Sequence, residues 1–520
     1  HELFTVRLVE SMLYDLLEHS PFVHSEMLIK IPHLKPGTSE QAHLFVGLWK
    51  LVDNTKPVRP LVDTISQEQD ITGLATEEQS LLAEVTAFGI QSNWIGKTLL
   101  ISGRVRSGLW ELAPSKSNEV QQILHSSQKH SVGPMDVIST GKTWGGTQGL
   151  RNMRICLSKL DKVSMIDLSN GIVVVEPGVT QGRMSDLLRG TGWYLPVTGS
   201  CVHTSLIGNA LDGGLTSRGL RIGQVLGVEA IEWNGANIVK TGVLTSKGVM
   251  HGYSGPTGAQ ADSFIFGRRG VVTRMAFALQ RLRNYTAIGS GMVADESALK
   301  KAFALYDEGL LSWFQTRVAT PGDPILVMSL VGRTREELEE KIALVDNDLN
   351  GCLFWTGKSH DANELTMRGE EAADFDRNPL VNDAWLYLVG VPSCSRHHHV
   401  LGVTSCGEAP IVGETANGFE LLAFAAPMDP TIICMLRDKL CAAANNYWYP
   451  TLSITITVTP MVIYPTMYFL VWATWDNPAC SIGKPAAKSF LDLVRLIMAK
   501  AHCPPCRYHD TAMTERRSKL

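Results

Sequence analysis

The 520-residue chain is longer than one ordinary hydrophobic core serves, and implies two or three domains. Its 44% hydrophobic and 19% charged content excludes a disordered chain, and a formal charge of −4 argues against nucleic acid as the main partner. Ten cysteines at irregular spacing imply no disulfide framework.

The chain opens at His1 without a methionine, as a processed or trimmed form would, and Glu2, Arg7 and Glu10 are unsuited to a signal peptide. Apolar spacing predicts helices over 6–19 and 77–88 in a mostly helical N-terminal segment, residues 1–95. From Gly96 the texture changes. Thr98-Leu-Leu-Ile-Ser reads as a strand, and "SKSNEVQQILHSSQKHSV" as an amphipathic helix with Val120, Ile123 and Leu124 on one side. Met135 to Thr140 is a short strand, and glycines follow at 141, 145, 146 and 149. Gly141-Lys142-Thr143 looks like the end of a nucleotide-triphosphate loop. That loop needs a glycine five residues earlier, where Asp136 stands, and Gly133 is out of register. The triphosphate reading fails.

Further along, "KVSMIDLSNGIVVVEPGVTQGRMSDLL" reads as strand, Asn170-Gly171 hairpin, strand, turn and helix. A loop rich in Gly, Ser and Thr follows, then a hairpin at Asn234-Gly235, then a glycine turn into the strand of "GRRGVVTRMAFALQ". Beyond about residue 286, helices such as 335–349 alternate with strands such as 325–331. Residues 451–475 carry no charge, but Pro460, Pro465 and a period-two pattern predict strands rather than a membrane helix. His397-His-His399, beside Cys394 and Cys406, lacks a second ligand pair at metal-binding spacing, and a solitary Cys503-x-x-Cys506 is a weak redox or zinc signal. No metal is expected.

Four glycine-bearing turns at strand ends suit an extended diphosphate ligand, because backbone N–H groups approach closely where no Cβ intervenes. Their order resembles the flavoprotein family of vanillyl-alcohol oxidase and p-cresol methylhydroxylase. The matching strings run from "LWELAPSKSNEVQQILHSSQKHSVGPMDVISTGKTWGG" through "VVVEPGVTQGRM" and "GSCVHTSLIGNALDGG" to "GRRGVVTRM", over residues 109 to about 283. The resemblance implies an α+β fold: a two-subdomain FAD-binding domain of the p-cresol methylhydroxylase type over 96–285 and an antiparallel-sheet cap (substrate) domain over 286–490. Residues 491–520 would return to the flavin site.

The same resemblance implies that Ser139, Thr140, Gly141, Lys142, Thr143, Trp144 and Gly145 wrap the FAD pyrophosphate. Pro177, Gly178 and Val179 would turn beside the adenosine half. Gly199, Ser200, Cys201, Ser205, Gly208, Asn209 and Asp212 would lie along the pyrophosphate and flavin, and Gly270, Val271 and Val272 beside the adenine. FAD is expected to be noncovalent, with Tyr468 (ether) and Cys201 (thioether) as the candidate covalent anchors. "PPCRYHDTAM" resembles the segment that brings an arginine to a substrate phenol, with Cys506 where the family has tyrosine. Arg507, assisted by Tyr508 or Tyr464, is therefore the candidate charge at the active site.

The expected activity is an FAD-dependent oxidoreductase, an oxidase or dehydrogenase taking a hydride from an alcohol, an amine or a para-substituted phenol. The alternatives are a flavin-fold transferase resembling alkyl-dihydroxyacetonephosphate synthase, or a flavin-binding protein without catalysis. A small-molecule substrate, no nucleic acid or membrane partner and a cytoplasmic setting are expected, with a homodimer as one option for assembly.

Overall fold

The computed structural model describes residues 74–507 apart from 97, 100–104, 107, 134, 142–151, 246–263, 265–268, 293–295, 321–324, 350–353, 356–359, 363–385, 395–416, 448–451, 462–465 and 477–481. Three sheets organise them. The first combines β1 (Gln91–Ile95), β2 (Leu109–Ala113), β3 (Asp136–Ile138) and β4 (Met153–Cys156) in the order β1-β2-β4-β3. β4 runs parallel to β2 and β3, while β1 is antiparallel to β2. Two helices pack on this sheet, α1 (Thr76–Ala87) and α2 (Ser117–Lys129), through Leu81, Val85, Val120, Ile123 and Leu124. The i, i+3, i+4 spacing puts the last three on one stripe, and their burial contributes on the order of 5 kcal/mol. β1 thus pairs in the first sheet and α1 packs on it, both from the segment before Gly96. Val6 to His19 lies outside the described residues.

The second sheet is antiparallel throughout. It contains β5 (Val163–Asp167), β6 (Ile172–Val175), β7 (Val225–Glu232), β8 (Ile238–Lys240) and β9 (Gly270–Ala278), ordered β8-β7-β9-β6-β5. Its two hairpins turn at Gly171 (φ 65°) and Gly235 (φ 68°), where a side chain would be strained. The two short helices of this region are α3 (Gln181–Leu188) and α4 (Leu206–Leu211).

A nine-stranded sheet follows. Its long strands are β10 (Tyr285–Met292), β11 (Trp313–Thr320), β12 (Ile325–Gly332), β13 (Asn417–Pro427), β14 (Leu452–Met461) and β15 (Thr466–Asp476), and the short β16 (Pro505–Arg507) forms one edge. The order is β10-β12-β11-β14-β15-β13-β16, with two-residue strands beside β10. One face is covered by α5 (Glu296–Asp307), α6 (Arg335–Leu349), α7 (Pro430–Asn446) and α8 (Gly483–Lys500). Period-two alternation sends Met467, Phe469, Val471, Ala473 and Trp475 of β15 into that helical core. Tyr468, Leu470 and Trp472 therefore point to the opposite face. Pro460 sits in β14 beyond the last β11 pairing, where its missing N–H costs no ladder bond on that side. Among the described residues, no helix is long and apolar enough to cross a membrane.

Candidate functional site

Three of the glycine-bearing stretches converge through their backbones. Leu157 N donates to Ile138 O at the end of β3, and the Cys156 thiol lies 3.6 Å from Ser139 O, which fixes where the loop leaves the sheet. Gly141 then takes φ +71°, with open space where a Cβ would sit apart from Ile138 Cδ1 at 4.0 Å. Thr140 Oγ1 is buried without a hydrogen-bond partner. Ser205 caps α4 by accepting from Gly208 N at 3.0 Å and donates to Pro177 O at 2.6 Å. Leu206 N donates to Val179 O at 3.1 Å, so the Pro177–Val179 turn and α4 form one block. A Cβ on Gly208 would stand 3.0 Å from Ser139 Oγ, which brings α4 against the loop after β3. Asp212 closes α4, its backbone donating to Gly208 O.

Behind this block lies a buried polar network. Gln181, 1% exposed, donates to Cys201 O at 2.9 Å and accepts from Thr198 N at 3.1 Å. Ser200 bonds Thr198 and Thr204 through hydroxyls at 2.5 and 2.8 Å. Cys201 is buried with its thiol 3.8 Å from Thr204 Oγ1. Gly199 and Ser200 also border a cleft formed with Tyr387 and Val391. Arg221 is fully buried and donates to Asn209 Oδ1 at 3.0 Å and Gln181 Oε1 at 3.3 Å, and its Nη1 has no partner. Burial pulls its pKa down to about 9. Sequence reasoning passed over Arg221, because one arginine in "SRGLRIG" carries no pattern that announces burial.

At the expected adenine end, Val271 and Val272 send their side chains into two different cores, and Gly270 presses on Ile231, where a Cβ would stand 2.1 Å from its carbonyl oxygen. Their strand pairs with β7, while pairing with β6 begins only at Met275. Among the described residues, the backbone edge of Gly270–Val272 opposite β7 pairs with no strand. Lys142, Thr143, Trp144 and Gly145 lie outside the described residues.

On the nine-stranded sheet, Tyr468 is fully buried and packs with Ala423 against Leu215 and Leu220. These two leucines belong to the hairpin Leu215–Thr216/Gly219–Leu220, which directly precedes Arg221. β16 places the backbone of Arg507 opposite Ala423. Tyr464 and Tyr508 lie outside the described residues, as do His397 to His399 and Cys406. No group of three His, Cys, Asp or Glu side chains that could hold a metal ion occurs among the described residues. Cys394 is disulfide-bonded, a cross-link that irregular cysteine spacing does not announce.

These features fit a dinucleotide: an open, left-handed glycine after a strand, a buried hydroxyl without a partner beside it, and a buried guanidinium behind. Residues 111–242 match the family described as FAD binding domain. Over 239 residues the chain is 26% identical to a 1'-carboxy-chondrochloren decarboxylase from Chondromyces crocatus, covering 44% of this chain and 41% of that protein. The match thus spans about two-fifths of that relative's length. Among solved structures, the 4-ethylphenol oxidase of Gulosibacter chungangensis superposes with a TM-score of 0.66 at 13% identity, covering 84% of this chain and 90% of the oxidase. p-Cresol methylhydroxylase with substrate bound superposes with a TM-score of 0.64 at 15% identity, over 84% and 90% of the two chains.

Proposed function

From a chain that carries an FAD-binding domain and the fold of p-cresol methylhydroxylase, we propose an FAD-dependent oxidoreductase that takes a hydride from an alcohol, an amine or a para-substituted phenol. Bound FAD supplies the hydride acceptor, and the protein must hold the donor carbon and tune the charge around it. Ser139 to Gly141, the Pro177–Val179 turn and α4 would hold the dinucleotide through backbone groups and short hydroxyls. The observation that carries the substrate end is the register of β16, which sets Arg507 opposite Ala423, the neighbour of Tyr468. An arginine side chain that meets the substrate oxygen would stay protonated, favour a phenolate and strengthen its hold as charge develops on that oxygen. Arg507 would thus orient and charge the substrate without exchanging a proton.

Two measurements test this reading. Denaturing release and chromatography should recover FAD, and recovery of FMN would sink the assignment. Arg507→Met should keep FAD yet slow flavin bleaching in anaerobic stopped-flow by on the order of a hundredfold, about 3 kcal/mol. Raising the pH should partly restore a phenolic substrate by delivering it already ionised. An unchanged reduction rate would place Arg507 outside the chemistry.

The relative named as a decarboxylase favours a second reading, loss of carbon dioxide from a carboxylated substrate. Carbon dioxide released in step with turnover would support it.

A further inference from the structure

A small cavity distinct from the dinucleotide loops lies where the second sheet's region meets β10, β11 and β12, with about 30 Å³ of space behind an open mouth. Three guanidinium groups line it, Arg218, Arg281 and Arg283, and among the described residues no Asp or Glu does. Among the described residues none of the three forms an ion pair with a carboxylate. Arg218 donates from Nε to Tyr194 OH at 3.3 Å, and Arg281 stacks over the Trp193 ring at 4.1 Å, which leaves the edges of both forks available. Arg281 and Arg283 are exposed, whereas Arg218 is half-buried.

The hydroxyls around the cavity supply a second, independent observation. Thr286 Oγ1 donates to Leu330 O, Ser312 bonds Ser329, and Tyr194 accepts from Arg218. Ser217 differs: it is 2% exposed, lines the cavity, and its Oγ has no hydrogen-bond partner. A buried hydroxyl left alone costs about 1–3 kcal/mol unless something arrives to accept its hydrogen. Three cations of like sign converging without an anion are likewise repulsive until one is bound. Trp313, Leu388 and Val389 add apolar wall that a bare inorganic ion would not use.

We propose that this cavity binds the carboxylate of a small organic acid, the guanidinium forks and the Ser217 hydroxyl meeting its oxygens while its apolar body occupies the open mouth. A planar carboxylate matches the fork in a bidentate manner. The site needs no flavin chemistry, so it stands or falls apart from the proposed function.

The test is calorimetric titration of the FAD-loaded protein with benzoate, benzyl alcohol and inorganic phosphate. Loading keeps the anions out of the pyrophosphate site. Benzoate should bind, with benzyl alcohol and phosphate at least tenfold weaker. Arg283→Met and Arg281→Met should each weaken benzoate about tenfold, and Ser217→Ala several-fold, with unchanged flavin absorbance in every sample as the check on fold. Absence of benzoate binding would overturn the proposal, as would binding undiminished in the variants. Phosphate binding as tightly as benzoate would overturn the assignment to an organic acid.

Discussion

Gly141 and Gly178 stand in similar strings, yet the absence of a side chain serves opposite ends at the two. Gly141 has φ +71° and, among the described residues, only Ile138 Cδ1 at 4.0 Å near its Cβ direction, so its glycine is required by backbone conformation. Gly178 has an ordinary φ, but a Cβ there would stand 2.2 Å from Ser158 O and 2.8 Å from Leu160 O. Its glycine is required by the protein's own packing. Gly141→Val should therefore empty the FAD site while far-UV circular dichroism is kept, because a β-branched residue in that region costs about 1–3 kcal/mol of local strain. Flavin retained at normal occupancy would mean the loop holds nothing. Gly178→Ala should instead lower overall stability by about 2–3 kcal/mol, read as an earlier denaturant midpoint with or without flavin. A loss of flavin at unchanged midpoint would reverse the assignment.

The strand register of the second sheet explains a charge cluster that no helix-style spacing would reveal. Glu229 in β7 stands opposite Lys240 in β8 and Arg274 in β9, so both neighbouring strands send a cation to one buried carboxylate. Arg274 Nε donates to it at 2.9 Å, Lys240 Nζ lies at 3.2 Å, and Thr273 Oγ1 donates at 3.2 Å. Burial pushes the Glu229 carboxyl up, but the Arg274 and Lys240 bonds outweigh it and leave the pKa below the ordinary 4.5. A carboxylate pKa depressed by folding contributes stability above its unfolded value, and that contribution is lost as pH falls through the folded value. Glu229→Gln should cost about 2 kcal/mol at pH 7, and the gap to the parent protein should close well below pH 4.5. Denaturant titrations at the two pH values would show it, and a gap independent of pH would assign the cost to packing.

At the scale of the whole molecule, dinucleotide and fold should be thermodynamically linked. The elements that would hold FAD come from the first sheet, the turn after β6, α4 and the edge of β9, and they cohere through backbone bonds such as Leu206 N to Val179 O. A ligand touching all of them stabilises the folded state by about 2.7 kcal/mol at a hundredfold excess over its dissociation constant. With an unfolding entropy of ~2.1 cal/mol/K per residue, that is a rise of about 2.5 °C in Tm for a chain of this size. Calorimetric scans with and without added FAD measure it, and an identical Tm would contradict the linkage. The sequence by itself determined the local elements: α2 from the spacing of Val120, Ile123 and Leu124, both hairpin turns from Asn-Gly, and the strand β14 from its alternation. It also determined the FAD-type order of glycine turns. Such features are legible because periodicity and turn chemistry act within a few residues of chain. Only the tertiary structure decided that Arg221 is buried against Asn209 and Gln181, that Ser217 lines one cavity with three arginines, and that Arg507 lies opposite Ala423. Each of those outcomes joins segments far apart in sequence, where burial and register are set by how sheets and helices pack rather than by the residues alongside.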